Sequence, residues 1–345
     1  MPKKPPQNAF YFFMQDFREQ ERKIGKNYGN LAEVAAAASD PWKEAPPAVR
    51  AKFEGMAKKA KQKNNVPEKK FTSTGISLAD IDQMEKDLQN AEEAELKDIK
   101  NFVKLNSFNS NEADVYLMDV NYFCQAGSEY VIGEVTILRF NLLDGIKQNY
   151  HMLINPGYAP LGYVSDVKIG CEEFGLDMPD PSNKTNYLKI LADSIDFLKR
   201  YQRPDEKCLP PVYTIPEKVA PVWNFIQQLC SRASEDDRLF RVYKLDTLFF
   251  HMINAIKSRE DEGFPKPSLA LLQLKKDPFK YNPGLGCEEH EKRDKSVECS
   301  LARTQRWAYT MLDSCCPVAG IEALPGAHVP HVLSRFSTYI SRHPK

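Results

Sequence analysis

Residues 129–157 read EYVIGEVTILRFNLLDGIKQNYHMLINPG, and this stretch decides the fold of the larger part of the chain. Two segments rich in β-branched residues, 131–140 and 150–154, flank Asp144-Gly145, a strong signal for a hairpin turn. Glu134 interrupts the first of these otherwise apolar strands. A buried carboxylate needs a metal ion, a cation or several hydrogen-bond donors, whereas one on a half-exposed strand can simply face water. Both possibilities remain open for Glu134 at this stage.

Strands and helices alternate on either side of the hairpin. The segment VYLMDVNYF at 115–123 predicts a strand before it, and shorter strands are expected at 212–214 and 240–243. Helical periodicity is found at 186–201, 217–230, 245–257 and 299–312. Three antiparallel strands followed by alternating helices and strands predict a mixed sheet with helices on its faces, the α/β pattern of an RNase H-like fold.

Charge is distributed unevenly along the 345 residues, although the net charge is zero. Residues 1–70 carry 15 Lys and Arg against 8 Asp and Glu, and the remainder carries 32 against 39. The length suits two or three domains, and a basic first domain on an acidic body suggests that the first domain meets a polyanion. No apolar run approaches the roughly 18 residues of a membrane span, and no signal peptide opens the sequence. The eight cysteines are therefore expected to be reduced, as metal ligands or buried thiols.

The first 65 residues predict three short helices around an aromatic core. Asn8 suits the cap of the first helix, Pro41 is expected to interrupt the second, and Pro47 suits the first position of the third. Four aromatic residues would form the core: Phe10, Phe13, Trp42 and Phe53.

The sequence KKPPQNAFYFFMQDF at 3–17, Trp42, and AVRAKFEGMAKKAK at 48–61 together resemble an HMG box. That resemblance implies an L-shaped domain that binds bent DNA in the minor groove and inserts an apolar wedge. Asn8 would read the bases and Tyr11 would be the wedge, unless Tyr11 is only a surface aromatic. The prolines near Trp42 depart from the family pattern, so structured DNA or folded RNA is a safer expectation than a specific duplex. The remaining contacts implied, mainly to phosphates, are Lys3, Lys4, Lys52, Lys58 and Lys59.

Residues 66–112 predict a polar linker followed by one helix over 78–103. Its apolar residues share one side and its other side is heavily charged. The helix could pack on the second domain or extend as a spacer. The predicted domains are thus 1–65, 66–112 and 113–345.

The segments MDVNYF, IGEVTILRFNLLDGI and YHMLINPG resemble the first three strands of DEDDh exonucleases. Those enzymes hold two metal ions with four carboxylates. Asp119 could be one of the four, but Asn121 stands where a second is required. The strand at 210–213 leads into a segment without aspartate, and Cys299-Ser300 stands where the last helix should offer His and Asp. Two-metal hydrolysis is therefore expected to fail.

Cys287, His290 and Cys299 form a pattern typical of zinc ligands, because thiolate and imidazole suit a tetrahedral site. Only three ligands are local, and Glu134 is the natural candidate for the fourth. The alternative is a reduced cysteine pair beside an exposed histidine.

Both halves together resemble the Maelstrom family, which combines an HMG box with a MAEL domain. Its marker residues fall on Glu134, His151, His251, Cys287, His290 and Cys299. The resemblance implies a structural zinc ion held by Glu134, Cys287, His290 and Cys299 in a degenerate nuclease fold. His151 and His251 would lie close by as outer donors, although His251 is equally well explained as a core histidine.

The function implied by this resemblance is a non-enzymatic nucleic-acid-binding adaptor in piRNA silencing of germline transposons. Its expected partners are RNA or structured DNA and piRNA-pathway proteins, in perinuclear nuage and the nucleus, with no membrane and no small-molecule substrate. Two alternatives are a single-stranded RNA endonuclease that works without the four acids, and an architectural DNA-bending protein.

Overall fold

The computed structural model describes residues 7–64, 77–105, 112–200, 208–257 and 263–331. The chain divides into two compact units, Met1–Gln89 and Asn90–Lys345. None of the helices in the described ranges combines the length and the apolar composition that a membrane span requires.

Three helices form the core of the first unit: α1 (Ala9–Lys23), α2 (Leu31–Glu44) and α3 (Pro47–Asn64). The predicted aromatic core is present, with ring centroids of Phe13 lying 4.9 Å from Trp42 and 5.5 Å from Phe53. Phe10 joins it at 6.1 Å from Trp42. These helices are the HMG box that the sequence predicts.

The prediction that Pro41 interrupts the second helix is wrong, because α2 continues through it to Glu44. A proline removes one backbone donor from a helix and crowds the preceding turn. Here it lies in the last turn, so the loss is confined to the end of the helix. Arg50 of α3 donates to the carbonyl oxygens of Trp42 and Lys43, at 3.1 and 2.5 Å, and so satisfies acceptors at that end.

The predicted interdomain helix is α4 (Leu78–Leu105), which passes from the first unit into the second. Within the second unit it packs, through the fully buried Ile99, on the part of the unit that contains the β-sheet, called the sheet domain below. The Asp98 carboxylate accepts hydrogen bonds from Tyr243 at 2.6 Å and Arg241 at 3.1 Å. Glu95 accepts from the backbone N–H of Lys244 at 2.7 Å. The last turns of α4 therefore cover an edge of the sheet.

Five strands form one mixed sheet in the order β3-β2-β1-β4-β5. They are β1 (Val115–Ala126), β2 (Glu129–Asn141), β3 (Gly145–Leu153), β4 (Val212–Thr214) and β5 (Val242–Lys244). The first three are antiparallel neighbours, whereas β4 runs parallel to β1 and β5 parallel to β4. This confirms the predicted mixed sheet, in which three antiparallel strands are followed by strands alternating with helices.

Helices cover both faces of the sheet. The helices of the second unit after α4 are α5 (Val164–Phe174), α6 (Tyr187–Lys199), α7 (Pro216–Ala233), α8 (Leu245–Ile256), α9 (Pro267–Lys276), α10 (Glu288–Lys292) and α11 (Ser300–Ala319). One apolar core joins the sheet to α8, α9 and α11, and a second core joins the opposite face to α6 and α7. Helix α11, with twelve buried residues, is the most deeply embedded.

The segment after α11 closes over the β2–β3 turn. His328 is buried, and its Nε2 donates to the carbonyl oxygen of Leu142 over 3.0 Å. The backbone N–H of Ile146 donates to the carbonyl oxygen of Ala327 over 2.8 Å. Gly145 has φ of +73°, and a Cβ added there would lie 2.4 Å from the same Ala327 oxygen. The turn can therefore accept only glycine at this position without displacing the C-terminal segment.

Candidate metal centre

Glu134 lies in the middle of β2 and is completely buried. Its Oε2 accepts a hydrogen bond from Asn121 Nδ2 at 2.5 Å and another from the backbone N–H of Ser300 at 3.1 Å. Ser300 is the first residue of α11, so the positive end of a 20-residue helix faces the carboxylate. One oxygen of Glu134 is thereby fixed, and Oε1 is left to face other groups. Of the two possibilities that the sequence leaves open, burial is the one observed.

Cys287, His290 and Cys299 come together beside this carboxylate. Helix α10 begins directly after Cys287, so the three-residue spacing puts His290 on the same side, with Nδ1 3.1 Å from Cys287 Sγ. Cys299 immediately precedes α11, and its Sγ lies 3.2 Å from Glu134 Oε1. The backbone N–H of Cys287 points at Cys299 Sγ from 3.4 Å. The segment between the two cysteines therefore folds back onto β2.

The hydrogen bond of the second ring nitrogen of His290 fixes the tautomer of the imidazole. Its Nε2 lies 2.7 Å from the carbonyl oxygen of Phe174, and a carbonyl can only accept, so Nε2 carries the hydrogen. In the neutral ring the lone pair is then on Nδ1, which lies 3.1 Å from Cys287 Sγ and 3.8 Å from Glu134 Oε1. A carbonyl that orients a histidine in this way is typical of metal sites.

His151 also enters the cluster. Its Nε2 lies 2.8 Å from Glu134 Oε1, and one ligand atom from each of Glu134, His151, Cys287 and Cys299 lies within 4.8 Å of the others. Together with His290, the cluster offers five donor side chains. Two thiols, imidazole and carboxylate are the donor set that zinc prefers. The sequence predicted that His151 lies outside the ligand set. In the structure the imidazoles of His151 and His290 lie 2.8 and 3.8 Å from the same oxygen, Glu134 Oε1.

The charges of the cluster are strongly coupled. Burial by itself would raise the pKa of Glu134, but the hydrogen bond from His151 and the electrostatic attraction of the His290 and His151 imidazoles lower it to about 2. Burial opposes protonation of His151, yet its bonds to Cys299 and Glu134 raise the pKa of His151 to about 9. Glu134 is thus an ionised, buried carboxylate. Such a group requires a cation, either a protonated imidazole or a metal ion.

His251 is not among the groups that contact Glu134, Cys287 or Cys299 in the described part of the chain. It lies on α8, where its ring packs edge-on against Phe250 at 5.0 Å between centroids. Burial and the charge of Lys100 lower the pKa of His251. These surroundings are those of a partly buried histidine beside the apolar core.

Asp119 occupies the position that the nuclease resemblance gives to a metal-binding acid, and it is fully buried. Its Oδ2 accepts a hydrogen bond from Arg303 Nε at 2.6 Å, and Lys218 Nζ lies 3.8 Å from Oδ1. Arg303 also donates to Asn121 Oδ1, and Lys218 donates to the carbonyl oxygen of Val120 at 2.8 Å. Two basic residues, from α11 and α7, therefore hold Asp119 and the end of β1.

Sequence reasoning missed Arg303 and Lys218. One signal was present for Arg303: it lies in the first turn of a helix, where acidic residues are favoured and a cation needs a nearby partner. Lys218 lies in the first turn of α7 and carries the same signal. Asp119 is the fully buried acid that both of them contact.

The candidate nucleic-acid contacts of the first unit are placed on its surface where the structure describes them. Asn8 is exposed and caps α1, its Oδ1 accepting from the backbone N–H of Tyr11 at 2.9 Å. Tyr11 is partly exposed and its hydroxyl accepts from Gln15 at 2.9 Å. Lys52, Lys58 and Lys59 are exposed on α3. Lys3 and Lys4 lie outside the described residues.

The chain is similar to several known proteins. A family model described as "Maelstrom: piRNA pathway germ-plasm component" matches residues 125–334, and one for the HMG (high mobility group) box matches residues 2–70. A protein maelstrom homolog of Culex quinquefasciatus is 33% identical over 98% of this chain and 68% of its own length. Protein maelstrom 1 of Drosophila persimilis is 28% identical over 95% of this chain and 77% of its own length. Among solved structures, E. coli exonuclease I in complex with an oligonucleotide has 8% identity and a TM-score of 0.34, covering 60% of this chain and 41% of that chain.

Proposed function

The chain belongs to the Maelstrom family, and on that premise we propose that it is a nucleic-acid-binding adaptor of the germline piRNA pathway that acts in transposon repression. Its HMG box would contact RNA or structured DNA, and its nuclease-like domain would bind RNA or piRNA-pathway proteins. We place its action in perinuclear nuage and the nucleus. The observation that favours an adaptor over a two-metal nuclease is the pairing of buried Asp119 with Arg303 at 2.6 Å.

Zinc is the metal proposed for the cluster, held by Glu134, Cys287, His290 and Cys299. The donor types suit zinc, and the orientation of His290 by Phe174 suits a ligand. When bound, zinc would supply folding energy on the order of 10 kcal/mol. Four protein ligands leave no open coordination position, so the role would be structural. Its effect would be to hold the 287–299 segment against β2 and to fix the start of α11.

Metal analysis of the purified chain tests this directly. We expect about one zinc per chain for the wild type and for Cys208→Ser, whose thiol is exposed, and little for Cys287→Ser. A strong chelator should lower the melting temperature of the wild type and leave that of Cys287→Ser nearly unchanged. A wild-type zinc content below about half an equivalent would remove zinc from the proposal.

Nucleic-acid binding by the HMG box is tested with gel shifts of the full chain on an RNA stem-loop, a four-way DNA junction and a linear duplex. Binding should weaken steeply with salt, because lysines that bind phosphates release counterions. The variant Lys58→Gln with Lys59→Gln should flatten the salt dependence by about one unit of slope for each lysine that binds a phosphate. Lys168→Gln with Lys189→Gln removes two exposed lysines of the sheet domain and is the matched control. Equal binding by both double variants would exclude α3 as the contact surface. Binding and bending of the linear duplex as strong as of the junction would instead favour the architectural alternative.

Cleavage of single-stranded RNA is the second candidate function, and Lys218 is the observation that favours it. Burial lowers the pKa of this lysine although Asp119 opposes the shift. A lysine with a lowered pKa gives up its proton more readily than an ordinary lysine, so Lys218 is the candidate for proton transfer. Labelled single-stranded RNA incubated with the full chain, with and without EDTA, discriminates the two functions. EDTA-resistant turnover that persists through repurification and is abolished in Lys218→Met would favour the enzyme, and no turnover favours the adaptor.

A further inference from the structure

The first half of α4 exposes an apolar stripe. Met84 is 69% exposed, Leu88 is 63% exposed and Leu78 is 40% exposed, and Ile81 is partly buried between them. Spacings of three and four residues put Ile81, Met84 and Leu88 on one side of the helix. Long apolar side chains at this level of exposure, aligned along a helix, are a feature of protein-binding surfaces.

The same side of α4 is buried further along the helix. Ile99 lies eleven residues after Leu88, which is just over three complete turns, and it is fully buried against the sheet domain. Glu95, between the two, accepts from the backbone N–H of Lys244, and Glu92 pairs with the Lys244 ammonium at 2.8 Å. The second half of the helix thus shows how this side is used: Ile99 makes an apolar contact, and Glu92 and Glu95, which lie on the same side, bind Lys244.

The flanks of the exposed half are also acidic. Residues 78–91 contain four acidic residues and one lysine, and all five are exposed. On a helical projection, Glu85 lies along one side of the stripe and Asp80 and Asp87 lie along the other. A second copy of this helix would place like charges opposite one another and is disfavoured. The complementary occupant is a helix with an apolar face flanked by Lys and Arg.

We propose that residues 78–91 of α4 form a docking site for a basic amphipathic helix of a partner protein. The partner's apolar residues pack on Ile81, Met84 and Leu88, and its basic residues pair with Asp80, Glu85 and Asp87. The charge pairs set the orientation and the salt dependence of the complex, and the stripe supplies most of the affinity.

A pair of designed peptides tests the proposal on the full chain. The probe is a labelled synthetic helix of about three heptads with Ile and Leu at the core positions and Lys at the flanking ones. The matched peptide has the same core and Glu in place of Lys. Fluorescence anisotropy should show binding of the basic peptide, weakening with added salt, and no binding of the acidic peptide.

Variants locate the binding on α4. Met84→Gln with Leu88→Gln should weaken the basic peptide about tenfold or more, because burying either side chain typically contributes at least that factor. Gln has a helix propensity close to those of Met and Leu, so the helical content measured by circular dichroism should be unchanged. Glu85→Gln with Asp87→Asn should weaken binding and flatten its salt dependence. Leu272→Gln, which changes an exposed leucine of α9, should have no effect.

Three results would overturn the proposal. One is equal affinity of the wild type and the Met84→Gln, Leu88→Gln variant for the basic peptide. Another is binding of the acidic peptide as tight as that of the basic one. The third is a wild-type dimer in sedimentation equilibrium that this double variant abolishes, since the occupant would then be a second copy of the chain.

Discussion

Replacing Arg303 by methionine should destabilise the sheet domain strongly, because it leaves the buried Asp119 carboxylate without its closest cation. Arg303 Nε lies 2.6 Å from Asp119 Oδ2, and Asp119 has no exposed surface. Removing one partner of a buried ion pair typically costs about 3–5 kcal/mol. Lys218, 3.8 Å from the other carboxylate oxygen, offsets part of the loss. We therefore expect a cost near the lower end, about 3 kcal/mol.

Urea and thermal unfolding followed by circular dichroism measure this cost. About 3 kcal/mol corresponds to a fall in melting temperature of roughly 6–12 °C for a domain of this size. The double variant Arg303→Met with Asp119→Asn removes the orphaned charge and should recover much of the stability. The recovery, beyond the sum of the two single variants, measures how strongly the two charges interact.

An Arg303→Met variant within about 1 kcal/mol of the wild type, or single-variant costs that simply add, would contradict this prediction. Either result would mean that Asp119 is satisfied without Arg303.

Three further predictions concern the hairpin turns, a buried acid and the two imidazoles. Gly145→Ala should cost more stability than Gly127→Ala. Both glycines have positive φ, but only at Gly145 would the new Cβ meet another backbone, 2.4 Å away. Chemical unfolding of both variants gives the difference in stability, and equal costs would contradict the prediction. Burial raises the pKa of Asp246, so folding disfavours its charged form; this cost in stability is fully present well above the folded pKa and vanishes below the ordinary value of 3.8. Asp246→Asn should therefore raise the melting temperature at pH 7, with a gain that shrinks towards pH 4. A gain that does not change with pH would argue against burial as its cause. His290→Ala should lose bound zinc and His151→Ala should retain it, as metal analysis will show; the opposite outcome would exchange the two imidazoles in the ligand set.

The sheet could be predicted because its signals are local. The alternation in 131–140, the Asp-Gly turn and the β-branched segments at 115–123 and 212–214 each specify a strand within a few residues. The predicted helix over 245–257 matches α8 to within one residue at its end. Helices α5, α9 and α10 were missed. With 11, 10 and 5 residues they are the shortest α-helices described in the second unit, so each offers few repeats of the helical period.

The candidate site could be predicted only in part because it depends on register and on tertiary packing. Glu134 and Cys299 are 165 residues apart, and Glu134 was a candidate ligand because it interrupts an apolar strand and because of the family resemblance, not because of its spacing from Cys299. His151 faces Thr136 across the β2–β3 ladder, two residues from Glu134 on the same face, and only the exact strand register puts it there. Arg303 and Lys218 reach Asp119 from two different helices, and no local pattern links those three positions.

The long separation between Glu134 and its partners has a consequence during synthesis of the chain. At 5–20 residues per second, roughly 8–33 s pass between the emergence of β2 and that of Cys299 from the ribosome. Over this interval the hairpin can form, but its central carboxylate has neither the thiol nor the start of α11 beside it. The sheet domain therefore cannot complete the surroundings of this ionised group until α11 has been translated.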